Sequence, residues 1–261
     1  MLGGCFAVPD YDDTRFKCDV EPVCPEDFVC FEGVCRDDVA PPGMVLFPAG
    51  TSMMGCIQGA DDCNMDARPL HPISLSEFAI DVHEVTEAQY QACVDAGSCV
   101  PVASGGTSTA LPVRGVTWNA ARAYCAHVGK KLPTEAQWEF AARAGGGQVF
   151  PWGGAFDCTV VNAAPCALGT VVDVESMPGG ATADGLMHMA GNVREWVLDS
   201  YDETFYLQSG SSLDPSNVNN SVLKVVRGGS FRSSSALLTV WFRDFVNQSS
   251  ADDDLGIRCA K

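Results

Sequence analysis

Apolar and polar positions change their period along this chain, and each change marks an element. Met44-Val45-Leu46-Phe47 is continuously apolar and stops at Pro48-Ala49-Gly50, which predicts a short buried strand closed by a turn. His71 to Phe78 alternates, predicting a single further strand. Three helices follow. Thr86 is placed to cap the first, with Gln89 as the reciprocal partner three residues on, and Val85 and Tyr90 stand at the positions of a hydrophobic staple. Behind Thr117, the stripe Ala121, Cys125 and Val128 predicts a second helix ended by Gly129. Thr134 opens the third, with Gln137 at its third position and Trp138, Ala141 and Ala142 turned inward. Beyond residue 145 the helical period is lost. Gly and Pro recur there, predicting loops and short strands.

The first forty residues follow a different pattern. They hold ten acids against three bases, and Cys18, Cys24, Cys30 and Cys35 fall at near-regular spacing with Phe16, Phe28, Phe31 and Val34 between them. So short a segment cannot bury enough surface to fold unaided, so two disulfides are expected to staple it, with all three pairings open. Asp37 to Gly43, with Pro41 and Pro42, reads as an extended linker. The expected organisation is a cysteine-rich module over 1–40 and a body over 41–261.

Charge narrows the partners. With 33 acidic and 16 basic residues the formal charge is −17, which argues against nucleic acid and against adsorption to anionic lipid. No apolar run approaches the ~18 residues of a membrane span. Thirteen cysteines, no CxxC pair and four scattered histidines argue for disulfides in an oxidised, exported chain rather than for zinc. Leu2-Gly3-Gly4-Cys5 resembles the end of a bacterial lipoprotein signal, whose charged and apolar parts would lie upstream of Met1. Cys5 is therefore the expected lipidation site, and a lipid anchor the only expected membrane attachment. In chain order the body cysteines suggest the local loops Cys56–Cys63, Cys93–Cys99 and Cys158–Cys166.

Eight segments then fall into one register. They are Met44 to Gly55, Glu84-Val85-Thr86, Pro112 to Trp118, Lys131 to Glu139, Phe150-Pro151-Trp152-Gly153, Gly191 to Trp196, Val226 to Phe231 and Leu255 to Cys259. Together they resemble the formylglycine-generating enzyme family, the sulfatase-modifying factors, over residues 44–260. The resemblance implies an irregular α+β fold related to C-type lectins, with little regular secondary structure. It also implies a long bridge between Cys125 and Cys259. On the chain-entropy model the short loops would contribute roughly 2–3 kcal/mol each and the long one up to about 5.

The family's reaction converts a substrate cysteine to formylglycine, and the resemblance implies two thiolates between the RGGS segment and the terminal segment that hold copper(I). Residues 167–258 contain no cysteine. Counting from either end places Ser235 and Val240, or Leu238 and Arg243, where the pair belongs. None of these is a soft ligand, so neither copper nor a catalytic residue is expected. The resemblance further implies calcium held by the carbonyls of Gly191 and Val193 and the side chain of Glu195. His188, a poor calcium ligand, weakens that site, and the bland reading is that Glu195 pairs with an arginine. A second family site would begin near Asn162 and Ala163, without its acidic partner segment.

The leading expectation is a non-catalytic binding or scaffold domain, monomeric, at a bacterial cell envelope, with a protein or glycan ligand. The alternatives are formylglycine generation and an unknown reaction in the same cleft, for which Asp202, Glu203, Arg232, Ser233, Ser234, Ser235 and Arg243 are candidates.

Overall fold

The computed structural model describes residues 40–56, 63–104, 106–144, 146–208 and 213–261, together with the backbone of four short strands, β1 (Phe6–Ala7), β2 (Phe16–Lys17), β3 (Val29–Phe31) and β4 (Val34–Arg36). These four pair antiparallel in the order β1-β2-β4-β3. The side chains of Cys5, Cys18, Cys24, Cys30 and Cys35 lie outside the described residues, so the lipidation site and the module's pairing do too.

In the body, β5 (Met44–Phe47) pairs with β8 (Phe78–Asp81), and β6 (Gly50–Met54) pairs with β7 (His71–Leu75). The single strand expected over His71 to Phe78 is thus two strands with different partners. Ser76 breaks it: its N–H and its hydroxyl both donate to the carboxylate of Asp214, at 2.8 and 2.7 Å.

The helices form where their caps stand. Helix α1 (Glu87–Asp95) begins at Thr86, which exchanges hydrogen bonds with Gln89 in a reciprocal capping box. Helix α2 (Trp118–His127) is capped by Thr117, and Gly129, at φ +71°, leaves it. Val128 is 41% exposed and is not part of that helix's buried stripe. Helix α3 (Glu135–Arg143) repeats the capping box with Thr134 and Gln137.

The main sheet runs β11-β10-β9-β12, from β9 (Arg194–Ser200), β10 (Leu223–Arg227), β11 (Asp244–Asn247) and β12 (Leu255–Gly256). Its two faces are both covered, as the two-residue period requires. Val197 and Val225 pack with Trp138, Ala141 and Ala142 of α3 and with Ile73 and Ile80. Their neighbours Trp196 and Val226 point the other way, to Trp118, Ala121 and Cys125 of α2 and to Ile257. Each such fully buried aliphatic side chain contributes roughly 1.5–3 kcal/mol. A single turn, α4 (Phe205–Gln208), adds buried Tyr206.

Disulfides join Cys56–Cys63, Cys93–Cys99, Cys158–Cys166 and Cys125–Cys259. The last ties α2 to the C-terminal segment across 134 residues. Ala260 also bridges to both Ile80 and Lys131, so the chain end is pinned between the two layers. Among the described residues no helix is long and apolar enough to cross a membrane.

Candidate functional site

The segment from Ser230 to Arg258 is where the implied copper thiolates would stand. Gly228 and Gly229 (φ +86° and +65°) turn the chain into it, and a Cβ on Gly229 would lie 2.7 Å from the carbonyl of Leu237. Ser230 donates to Asp254 at 2.7 Å, and the hydroxyl of Ser233 accepts the Ser230 N–H. Ser235 opens a 3-10 turn ending at Leu238, which is buried against Phe150, Val161 and Ala190. Val240 is core, and its carbonyl accepts from Arg227 at 2.6 Å. Arg243 is 3% exposed. The four positions in question therefore offer a hydroxyl, two packed aliphatic groups and a buried cation.

Arg243 belongs to a closed charge network built on α3. Glu135 and Glu139 stand one turn apart. Glu135 accepts from Arg243 Nε and Nη2 at 2.8 and 2.9 Å and from Arg227 Nη1 at 3.0 Å. Glu139 accepts from Arg143 Nε and Nη2, from Arg227 Nη2, from the Gly55 N–H and from Tyr206. Burial works against ionised Glu139, but Arg143 and Arg227 hold its carboxyl below the usual carboxylate range. Burial and these carboxylates push the Tyr206 hydroxyl far up. The network joins the third helix, the RGGS segment and Gly55, which accounts structurally for three of the motifs.

The residues of the calcium expectation come together differently. Glu195 is buried, and Arg258 Nε lies 3.0 Å from each of its oxygens. Arg258 Nη2 adds a bond at 2.7 Å, and Trp138 Nε1 donates to Oε2 at 2.7 Å. The remaining Arg258 donors reach the carbonyls of Asp81, Val82 and Met187. Arg258 and Trp138 together thus engage both oxygens of the Glu195 carboxylate. Gly191 and Val193 sit on the same segment as backbone supports: the Gly191 N–H bonds the carbonyl of Gly228, and Val193 packs with Phe231 and Val171. His188 is buried beside Asp173, and burial followed by the charge of Arg258 pushes it down to about 4, so it is neutral. Among the described residues no three His, Cys, Asp or Glu side chains converge to hold a metal.

The residues of the unknown-reaction alternative are engaged separately. Asp202 caps its own turn through Thr204, and Arg232 pairs with Asp253 at the surface. Arg243, the third, is held in the buried pair with Glu135.

Three of the cavities among the described residues bear on function. One, of about 560 Å³, lies between β6, α3 and Trp241, walled by Met53, Gly55, Phe140, Arg143 and Val149. Its lining is mainly apolar, and Arg143 contributes the cation, stacked 5.9 Å from the Trp241 ring centre. That is the makeup of a small-molecule site. A second, of about 380 Å³, gathers Asp81, His83, Glu84, Lys130 and Glu175. Glu84 is fully buried, one of its oxygens has no partner, and burial raises its carboxyl to about 8. Sequence reasoning missed this cluster, since its members come from separate segments; only Glu84, beside the Thr86 cap, lies in a motif. The third cavity surrounds Trp118.

Comparison with known proteins agrees with this architecture. A family model for the sulfatase-modifying factor enzyme 1-like domain matches residues 31–261. The serine/threonine-protein kinase pkn1 of Chlamydia caviae is 32% identical over 241 residues, covering 84% of this chain and 38% of that protein. The chain thus spans well under half the length of that relative. The inactive C-alpha-formylglycine-generating enzyme 2 of Bos taurus is 36% identical over 166 residues, covering 58% of this chain and 50% of that protein. Among solved structures, PvdO from Pseudomonas aeruginosa superposes with a TM-score of 0.72 at 26% identity, covering 83% of this chain and 93% of that one.

Proposed function

Because this chain belongs to the sulfatase-modifying factor, or formylglycine-generating enzyme, family, we propose that it keeps the family body without the family oxidation and serves as a binding or scaffold domain. The observation that carries this reading is the disposition of sulfur. The segment from Ser230 to Arg258 has no cysteine, and all eight cysteines from Cys56 to Cys259 are in disulfides. A disulfide sulfur cannot serve as a thiolate ligand until it is reduced. The large cavity at Arg143 and Trp241 is the place we assign to ligand. A bacterial envelope location, with attachment through Cys5, fits a chain this rich in disulfides.

The test is incubation of the full chain with a sulfatase-type cysteine peptide and oxygen, with and without copper(I), followed by mass spectrometry. No formylglycine above the protein-free control is expected. Conversion above that control would establish the alternative, an active oxidase.

A further inference from the structure

We propose that the cavity around Trp118, of about 400 Å³, binds an oxyanion carried on a hydroxylated, monosaccharide-sized molecule.

Two cations meet there on one ring. Lys224 Nζ lies 4.4 Å from the centre of the Trp118 ring, and the Arg122 guanidinium carbon lies 5.1 Å from it. Neither makes an ion pair with a described residue, although the chain carries twice as many acids as bases. Elsewhere Arg143, Arg194, Arg227, Arg243 and Arg258 each have a carboxylate. The described lining of this cavity contains none.

Lys224 is the telling residue. It is only 5% exposed and spends one donor on the hydroxyl of Ser200 at 2.7 Å. An ammonium has three donors, and burying it without a counter-charge is costly. Its pKa is held down by burial and by Arg122, against the pull of Asp199. A bound anion would relieve both the burial and the repulsion between the two cations. The N-terminus of α2, at Trp118 and Asn119, adds its positive end to the same wall.

The other lining groups set the rest of the ligand. Asn119, Asn219, Asn220 and Gln248 bring side-chain amides, which both donate to and accept from hydroxyls. One oxyanion would leave most of the cavity unfilled, whereas a sugar ring bearing one suits it. The inference stands on a different face from the Arg143 cavity and does not depend on the absence of oxidase chemistry.

The experiment is calorimetric titration of the full chain at low salt with glucose 6-phosphate, glucose 6-sulfate, glucuronate, glucose and inorganic phosphate. At least one anionic sugar should bind at least about tenfold more tightly than glucose and than inorganic phosphate. The arm that binds best identifies phosphate, sulfate or carboxylate as the group read. Arg122 is on the surface, so Arg122→Met should fold with an unchanged melting temperature and lose at least about tenfold in affinity. Lys224→Met should lose more, and its melting curve shows whether it folds. Inorganic phosphate binding as tightly as every sugar anion would overturn the saccharide assignment. Unchanged affinity in Arg122→Met, or heat from none of the anionic probes, would overturn the site.

Discussion

Cations on the two sides of the main sheet have opposite surroundings. On the α3 side, Arg227 and Arg243 are buried against Glu135 and Glu139, and these four groups share four hydrogen bonds that hold three chain segments together. On the α2 side, Arg122 and Lys224 crowd one indole, and neither forms an ion pair with a described residue. A buried charge inside a closed network is structural, because removing either partner leaves the other uncompensated. A charge whose partner is missing from the fold is available to something outside it. Residue type alone does not separate the two roles; the partner does.

That contrast can be attacked from several directions. The largest effect should come from the bridge that ties α2 to the C-terminal segment. Replacing Cys125 and Cys259 by serine should cost about 4–5 kcal/mol in denaturant titrations, since the loop closed is long. Arg243→Met leaves Glu135 buried with less compensation and should cost about 3–5 kcal/mol, whereas Arg122→Met should cost less than about 0.5. Equal losses in those two variants would dissolve the distinction. Glu195→Gln should cost about 3–5 kcal/mol in calcium and in chelator alike, because the partner lost is Arg258. A loss seen only in calcium would restore the metal reading.

The smallest effect is in pH. Glu84 is raised to about 8 by burial, and Asp199 to about 7 by burial and the charge of Glu135. Between the usual carboxylate range and those values the folded chain holds protons that the unfolded chain releases, so these groups make stability fall as pH rises through that window. Glu139 works in the opposite sense: its contribution is complete above the unfolded carboxylate value and is lost as pH falls. Thermal melts from pH 5 to 8 should therefore show a decline that Glu84→Gln reduces. An undiminished slope in that variant would assign the decline elsewhere.

What was legible in the sequence was local or carried by several motifs at once. The capping boxes at Thr86 and Thr134 depend on a spacing of three residues, and both form. The family fold and its missing cysteines could be read because eight segments kept one order. What was not legible depended on distant partners. Alternation over His71 to Phe78 gives no hint that Asp214, 138 residues on, takes Ser76 and splits the strand. Nothing beside Glu195 announces Arg258, 63 residues away, so a buried ion pair and a calcium ligand look alike in the sequence. Arg122 and Lys224 lie on different elements, and only the fold brings them to Trp118.

The account's central claim is that the body's sulfur is committed to structure and cannot hold a soft metal. Its most direct test is a competition for copper(I) between the non-reduced full chain and a chromogenic copper(I) chelator, read as chelator absorbance. The account predicts that no copper passes to the protein, and that peptide mapping finds Cys125 joined to Cys259. Transfer of one copper(I) per chain, abolished by blocking thiols in the 41–261 body, would contradict it.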